Sequence, residues 1–306
     1  MTSGESGAAL IGVDWGTSSL RAFLVDGTGQ VLDRVSSSEG IMQVAEQPFE
    51  AILDRHIGPW LADQPVPVLA SGMITSRNGW VETPYATLPL DASELARVLV
   101  AHRTGSGLDV HFVTGATVDH AAGPDVMRGE ETQIIGAAAL GLSDGLFVLP
   151  GTHSKWVRAK RGRIETFATY MTGEVYGALK GHTILGTLVQ DGPFHPTGFD
   201  LGLRTGFETK GRLLQDLFHV RTLPLMGKID RAMVADYLSG LLIGSELGAE
   251  LAHQKGDEMI TIVGRNDLAD RYEIALQAKK MPSQRAPDDC VAMGHFLIAR
   301  AAGLVR

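Results

Sequence analysis

A chain of 306 residues with 44% hydrophobic and 20% charged content is long enough for two compact domains with full cores. Its net charge of −8 works against any role that needs a basic face, so nucleic acid and anionic membrane surfaces are excluded as expected partners. The single Cys290 allows no internal disulfide, no Cys/His spacing matches a structural zinc site, and a reducing, cytoplasmic setting is expected.

The opening "MTSGESGAALIGVDWG" lacks the basic start and apolar run of a signal peptide, and no later stretch is apolar enough to suggest a membrane span. Residues 8–13, 20–25 and 31–36 read as strands; the turn signal "DGTG" joins the last two, making a three-strand meander. A helix is predicted over 48–63, with Phe49, Ile52, Leu53, Ile57 and Leu61 near helical spacing, and the strand-like "PVPVLASGMI" comes next. A second helix is predicted over 91–103, opened by Asp91 or Ser93, and "DVHFVTG" reads as the next strand. Residues 121–141 turn helical in their last part and end at the C-cap Gly141.

There the pattern restarts. "GLFVLPG", "KWVRAK" and "RIETFATY" form a second meander, and helices dominate the rest of the chain. The clearest runs from Asp230 to Gln254, where Met233, Val234, Tyr237, Leu238, Leu241 and Leu242 make an apolar stripe that belongs in a core. Strand "MITIVG" and helices "NDLADRYEIALQAKK" and "DDCVAMGHFLIARAAGLV" complete the chain. Each half reads as meander, helix, strand, helix, so domains 1–140 and 141–306 are expected, and an exposed stripe on the last helix would support a homodimer.

The two meanders superpose Gly16 on Gly151, Thr17 on Thr152 and Ser19 on Ser154. A Gly-Thr turn between strands sets backbone N–H groups and hydroxyls at a hairpin tip that a phosphate can approach. One such turn is an ordinary hairpin; its recurrence at matching positions points to a clamp on a polyphosphate. The first copy carries Asp14 where the second has Leu149, and a lone carboxylate there suits Mg²⁺ held together with substrate phosphates. The second copy brings Lys155, either a point charge for the transferred phosphoryl group or a surface lysine on a strand. Walker-type, dinucleotide-binding, protein-kinase, HEXXH and G-x-S-x-G motifs are all missing.

"VDWGTSSLRAF" and "LPGTHSKWV" resemble the two phosphate-binding hairpins of the superfamily of sugar kinases, heat-shock chaperones and actin. More narrowly, "GMITSRNGWVETPY", "MRGEETQIIGA", "LPGTHSKWV", "MTGE" and "SGLLIGSE", in that order, resemble the 2-dehydro-3-deoxygalactonokinase family. The resemblance implies an α/β fold of two ribonuclease H-like (actin-like ATPase) domains facing across a cleft. It also implies ATP and Mg²⁺ as cofactors and a small sugar acid as the phosphoryl acceptor.

Carried onto this chain, it makes Asp14 the magnesium-organising aspartate and Gly16, Thr17 and Ser18 the first phosphate turn. Arg21 matches a nucleotide-contacting arginine, while Gly151, Thr152, His153, Ser154 and Lys155 form the second phosphate loop. Gly264 marks the adenosine loop, where the family's usual glycine pair is reduced to one. "RGEETQ" stands where related kinases keep their catalytic acid, with Glu130 and Glu131 both available as the base; Glu130 comes first, and the other serves as a helix N-terminal charge.

Ser76, Arg77, Trp80 and Arg128 are the candidates for binding the sugar acid, with core packing the alternative for Trp80 and a solvated loop charge for Arg77. His153 reads as a loop-ordering partner, the other histidines are set aside, and Cys290 packs as a small apolar residue. The reading is a kinase of 2-dehydro-3-deoxy-D-galactonate; its rivals are a kinase of another sugar acid and a nucleotide-gated, actin-like binding protein.

Overall fold

The computed structural model describes residues 7–44, 48–190, 192–253, 258–264 and 266–306. Packing divides the chain into two units. One is Met1–Gly145 with Val157–Phe167 and Ala286–Arg306, and the other is Leu146–Trp156 with Ala168–Arg285.

The first unit opens with β1 (Ala8–Trp15), β2 (Leu20–Asp26) and β3 (Val31–Ser37), the expected meander. Asp14 pairs with Arg21 and Trp15 with Leu20, so the turn at residues 16–19 closes directly on Asp14. After α1 (Phe49–Asp63), β4 (Val68–Ser71) runs parallel to β1. Then come β5 (Tyr85–Thr87), α2 (Ala92–Arg97), β6 (Val100–Arg103), β7 (Asp109–Phe112), β8 (Gly115–His120), β9 (Gly123–Met127) and α3 (Glu130–Ala139). The main sheet has the order β3-β2-β1-β4-β7-β6, and β5-β8-β9 form a small second one. Leu10, Ile11, Val13, Val68 and Leu69 are wholly buried, as expected for parallel central strands covered on both faces.

The helix expected over 91–103 stops at Arg97. Its start is as read: Asp91 accepts from the Ser93 and Glu94 N–H groups while the Glu94 carboxylate accepts from the Asp91 N–H, a complete capping box. Beyond it the chain enters the valine-containing edge strand β6, which pairs with β7; cross-strand pairing there overrides local helical spacing.

The second unit is built on β10 (Gly145–Leu149), β11 (Ser154–Lys160) and β12 (Arg163–Tyr170), followed by α4 (Thr172–His182), α5 (Pro196–Glu208), α6 (Leu213–Leu225) and α7 (Val234–Glu250). After these come β13 (Ile260–Ile262), α8 (Asn266–Ala278) and β14 (Ser283–Arg285), and the sheet order is β12-β11-β10-β13-β14. The stripe is core as expected from Val234 on: Val234, Tyr237, Leu238, Leu241 and Leu242 are buried, while Met233, just before α7, is half-buried. The expected helix end at Gln254 lies outside the described residues.

Helices α5 and α7 lie in backbone contact along a row of glycines. A Cβ on Gly202 would sit 2.0 Å from the Tyr237 carbonyl oxygen, and one on Gly240 would sit 2.1 Å from that of Phe199. Gly202→Ala is therefore expected to cost about 1–3 kcal/mol, because the helices must separate. Gly177→Ala, in α4 with open space around it, is expected to be neutral or stabilising by up to about 1 kcal/mol. Thermal melts of the two variants test the contrast.

The last helix, α9 (Cys290–Ala301), belongs to the first unit, not to the second as a 141–306 domain would require. Small residues cause this: a Cβ on Gly136 of α3 would overlap the Cys290 carbonyl, and one on Gly294 would fall 2.0 Å from the Thr132 carbonyl oxygen. Its apolar face, including Val291, Phe296 and Ile298, is buried within that unit, so the exposed stripe invoked for a homodimer is absent. Cys290 is buried as expected, and burial pushes its thiol up to about 12. Among the described residues no helix is long and apolar enough to cross a membrane.

Candidate active site

In the first unit the parallel register of β1 and β4 delivers Asp14 and Ser71 side by side at the carboxyl ends of their strands, the end at which open α/β sheets bind ligands. The chain leaves β4 through Gly72 at φ +94°, where a Cβ would lie 2.8 Å from the Trp15 carbonyl oxygen and 3.3 Å from Asp14 Oδ1. Gly129, at φ +107°, comes equally close: its Cβ would be 2.9 Å from Gly72 Cα. Only glycine fits either position, and the pair seats the N-terminus of α3 against the end of the strand that carries Asp14. Asp14 and Glu130, far apart in sequence, thus share one end of the unit.

Asp14 Oδ2 accepts from Arg21 Nη2 at 2.5 Å and from Nε at 3.1 Å, and the carboxylate raises the guanidinium pKa. Beneath them lies His295 of α9, which the sequence gives no reason to single out. It is fully buried, its Nε2 is 2.8 Å from Ser71 Oγ, and burial pushes it down to about 4. No local signal marks it, since its partner stands on a strand that only the fold brings near.

The two glutamates separate clearly. Glu131 is wholly buried, with its carboxyl turned back on the Gly129 N–H at 2.8 and 3.0 Å; burial, then the neighbouring Glu130 charge, pushes it up to about 8. Glu130 is part-exposed, and its Oε2 accepts from the Arg128 N–H at 2.8 Å.

Arg128 is more committed than the sequence suggests. Its Nη1 donates to Thr75 O, Thr75 Oγ1 and Thr83 Oγ1 at 2.6–2.8 Å, its Nη2 donates to Thr83 O, and the guanidinium stacks on Tyr85 at 4.2 Å. It therefore fastens the loop after β4 to α3, and its Nη groups do not form an open fork for a carboxylate. Trp80 packs against Phe49, His102 and Phe112, so the core alternative describes it. Arg77 is exposed, and Ser76 Oγ is buried with no hydrogen-bond partner among the described residues.

The twin turns are alike in exposure and in bracing. Thr17, Ser18, Thr152 and His153 are all exposed. The Gly16 and Thr17 carbonyls accept from the Ile41 and Met42 N–H groups, and the Thr152 carbonyl accepts from the Glu174 N–H. Each brace depends on a glycine: a Cβ on Gly40 would come within 2.3 Å of Thr17 O, and one on Gly173 within 2.3 Å of Gly151 O. With these carbonyls engaged from behind, the hydroxyls are left facing outward. His153 gains the partner it lacked in sequence, Glu174 of "MTGE", at 2.5 Å. Ser154 and Lys155 depart from the expected exposure: both are buried, Ser154 Oγ against the Tyr272 hydroxyl and Lys155 Nζ donating to His153 O at 3.3 Å.

β10 and β13 are parallel neighbours, so Gly264, at φ +136°, lies beside Pro150. Next to the second turn is a pocket of about 490 Å³, counting space open to solvent, bordered by Gly151 and Gly173 and walled by Tyr176, Leu242, Ile243 and Leu268. Ser239 and Arg271 are among its polar groups, and Arg271 is held by Asp236 at 2.7 Å. An apolar slot beside a braced turn can take a flat base while the turn takes phosphates. Among the described residues there is no cluster of three metal-binding side chains.

The family model described as 2-keto-3-deoxy-galactonokinase matches residues 14–298, from Asp14 into α9. The 2-dehydro-3-deoxygalactonokinase of Escherichia coli K12 is 36% identical over 271 residues, covering 89% of this chain and 90% of its own. A Sinorhizobium meliloti protein given the same kinase name provisionally has a crystal structure that superposes with a TM-score of 0.85 at 35% identity, covering 95% of this chain and 98% of that one. Component A of (R)-2-hydroxyglutaryl-CoA dehydratase from Acidaminococcus fermentans, 12% identical, shares the fold alone at a TM-score of 0.52, over 96% of this chain and 98% of that one. A match spanning both Gly-Thr turns, the "RGEETQ" segment and most of α9 leaves one assignment: the chain belongs to the 2-keto-3-deoxy-galactonokinase family of carbohydrate kinases.

Proposed function

We propose that this chain transfers the γ-phosphoryl group of ATP to the terminal 6-hydroxyl of 2-dehydro-3-deoxy-D-galactonate, giving the 6-phosphate and ADP. The observation that carries the reading is the family match over residues 14–298, which includes every motif of the candidate site.

In this reading Glu130, part-exposed and close to Asp14, takes the proton of the 6-hydroxyl as its oxygen bonds to phosphorus and the bond to ADP breaks. The twin turns, through Thr17, Ser18 and Thr152, hold the phosphates, and the pocket bordered by Gly151 and Gly173 takes the base. Asp14 fits a magnesium site of the kind completed by substrate: one carboxylate with Oδ2 on Arg21 and Oδ1 beside Gly72, and, among the described residues, no group of three metal-binding side chains that would hold the ion without it. Magnesium, when bound there, would offset phosphate charge. Arg77 and Ser76 are the residues for the sugar-acid carboxylate, with Arg128 keeping their loop in place.

ADP release measured with ATP, Mg²⁺ and the galactonate derivative tests this, with the gluconate epimer and no sugar as controls. Strong stimulation by the galactonate derivative over a weak sugar-free ATPase is expected. Stimulation by neither epimer would sink the reading, and equal stimulation by both would overturn the substrate.

A further inference from the structure

Three sequence motifs converge on one buried carboxylate in the second unit. Glu246, from "SGLLIGSE", is 3% exposed. Its Oε1 accepts from Trp156 Nε1 at 2.8 Å, and its Oε2 accepts from the Tyr272 hydroxyl at 2.8 Å and from Thr172 Oγ1. Tyr272 is in turn 2.8 Å from Ser154 Oγ. Trp156 and Ser154 come from "LPGTHSKWV" and Thr172 from "MTGE"; Tyr272 is on α8. Among the described residues no cation pairs with Glu246, and burial raises its pKa.

With Glu246 ionised, the donor inventory fixes the direction of this chain of bonds. An indole N–H can only donate, and an ionised carboxylate can only accept. With the Tyr272 hydrogen given to Glu246, the contact with Ser154 must run from the serine hydroxyl to the tyrosine oxygen. Ser154 then has no hydrogen left for a phosphate, although its sequence position suggested one. Its neighbours Thr152 and His153 remain at the exposed tip.

Burying a carboxylate without a cation is costly, and apolar residues of similar volume are often as stable or more so, so the arrangement points to geometry rather than stability. The geometry in question is local. Ser154 begins β11 directly after the turn, Thr172 begins α4, and the backbones of Gly151 and Gly173 touch between them. Gly151, Thr172 and Tyr272 also border the pocket.

Resting on the kinase reading above, we infer that Glu246 is a positioning residue for the nucleotide. Acting through Tyr272, Ser154 and Thr172, it holds the Gly151–His153 turn and the start of α4 in the arrangement that receives the phosphates and base.

The test uses the full chain, with calorimetric titration of a non-hydrolysable ATP analogue and separate KM values for ATP and sugar acid. In Glu246→Gln an amide nitrogen takes the place of one oxygen. If it faces Tyr272 and Thr172, the bond direction reverses and Ser154 is released; if it faces Trp156, two donors oppose each other. Tyr272→Phe keeps the carboxylate with Trp156 and Thr172 and cuts only the link to Ser154, so it decides the matter if the first variant fails to fold. Each variant is expected to bind the analogue about tenfold more weakly, as for one lost hydrogen bond, with the ATP KM raised and the sugar-acid KM unchanged. A lowered melting temperature with unchanged analogue affinity, measured well below the melt, would show a purely structural role and overturn the inference alone. Failure of the unaltered protein to bind the analogue would overturn the kinase reading and the inference with it.

Discussion

Glu130→Gln is expected to lower kcat by about 10²- to 10⁴-fold with the KM for ATP little changed, because general-base assistance is lost while the nucleotide's contacts remain. Glu131→Gln is expected to keep most of the activity. The two are adjacent and chemically identical, so the contrast rests on their surroundings. Glu131, pushed up to about 8, carries a perturbed pKa of the kind that often flags a catalytic group. Its geometry argues otherwise: it is wholly buried, bonded to the N–H of Gly129, and holds its proton at neutral pH.

The same shift predicts a pH effect on stability. The Glu131 carboxyl has a usual value of 4.5 and a folded value of about 8, so between these the unfolded chain binds fewer protons than the native one. Stability should therefore fall as pH rises through that window and level off above it. Melts of Glu131→Gln should lack this slope, leaving the variant relatively better off at pH 8 than at pH 5. Steady-state kinetics of both variants decide the base: an active Glu130→Gln enzyme with a dead Glu131→Gln enzyme would reverse the assignment.

Asp14→Asn is expected to lower kcat by about 10²- to 10³-fold, the scale of losing one group that stabilises charge in the transition state, and to raise the Mg²⁺ concentration needed for half-maximal rate. Stability should hardly change. The Asp14–Arg21 pair is 12% and 36% exposed at its two side chains, and solvent-screened pairs contribute up to about 1 kcal/mol. A magnesium titration of the initial rate, with a melt alongside, separates the two effects. An unchanged magnesium dependence would remove Asp14 from the metal site, and a large drop in melting temperature with kcat preserved would make the pair structural.

Much of this architecture is legible in the sequence because it is local. Meander, turn and strand follow from alternation and from "DGTG" and "GTSS", and the repeat at "GTHS" follows from superposing one local pattern on another. The stripe on α7 follows from helical spacing. The end of α2 escapes such a reading because residues 98–103 have both helical spacing and β-branched content, and only the pairing of β6 with β7 decides between them.

The site divides along the same line. Sequence by itself determined the residue types and their order: the carboxylate before the first turn, the Gly-Thr tips, the glutamate pair and the motifs of the family. Tertiary structure decided which of them face solvent. It turned Glu131, Ser154, Lys155 and Trp80 inward, spent the Nη donors of Arg128 on Thr75 and Thr83, and gave His153 the carboxylate of Glu174. It also carried α9 to the first unit and set His295 beneath Asp14, through glycines that permit backbone contact where any Cβ would collide. The physical reason is that hydrogen-bond partners and burial are properties of neighbours in space, and close packing at Gly72, Gly129, Gly136 and Gly173 is what makes distant segments neighbours.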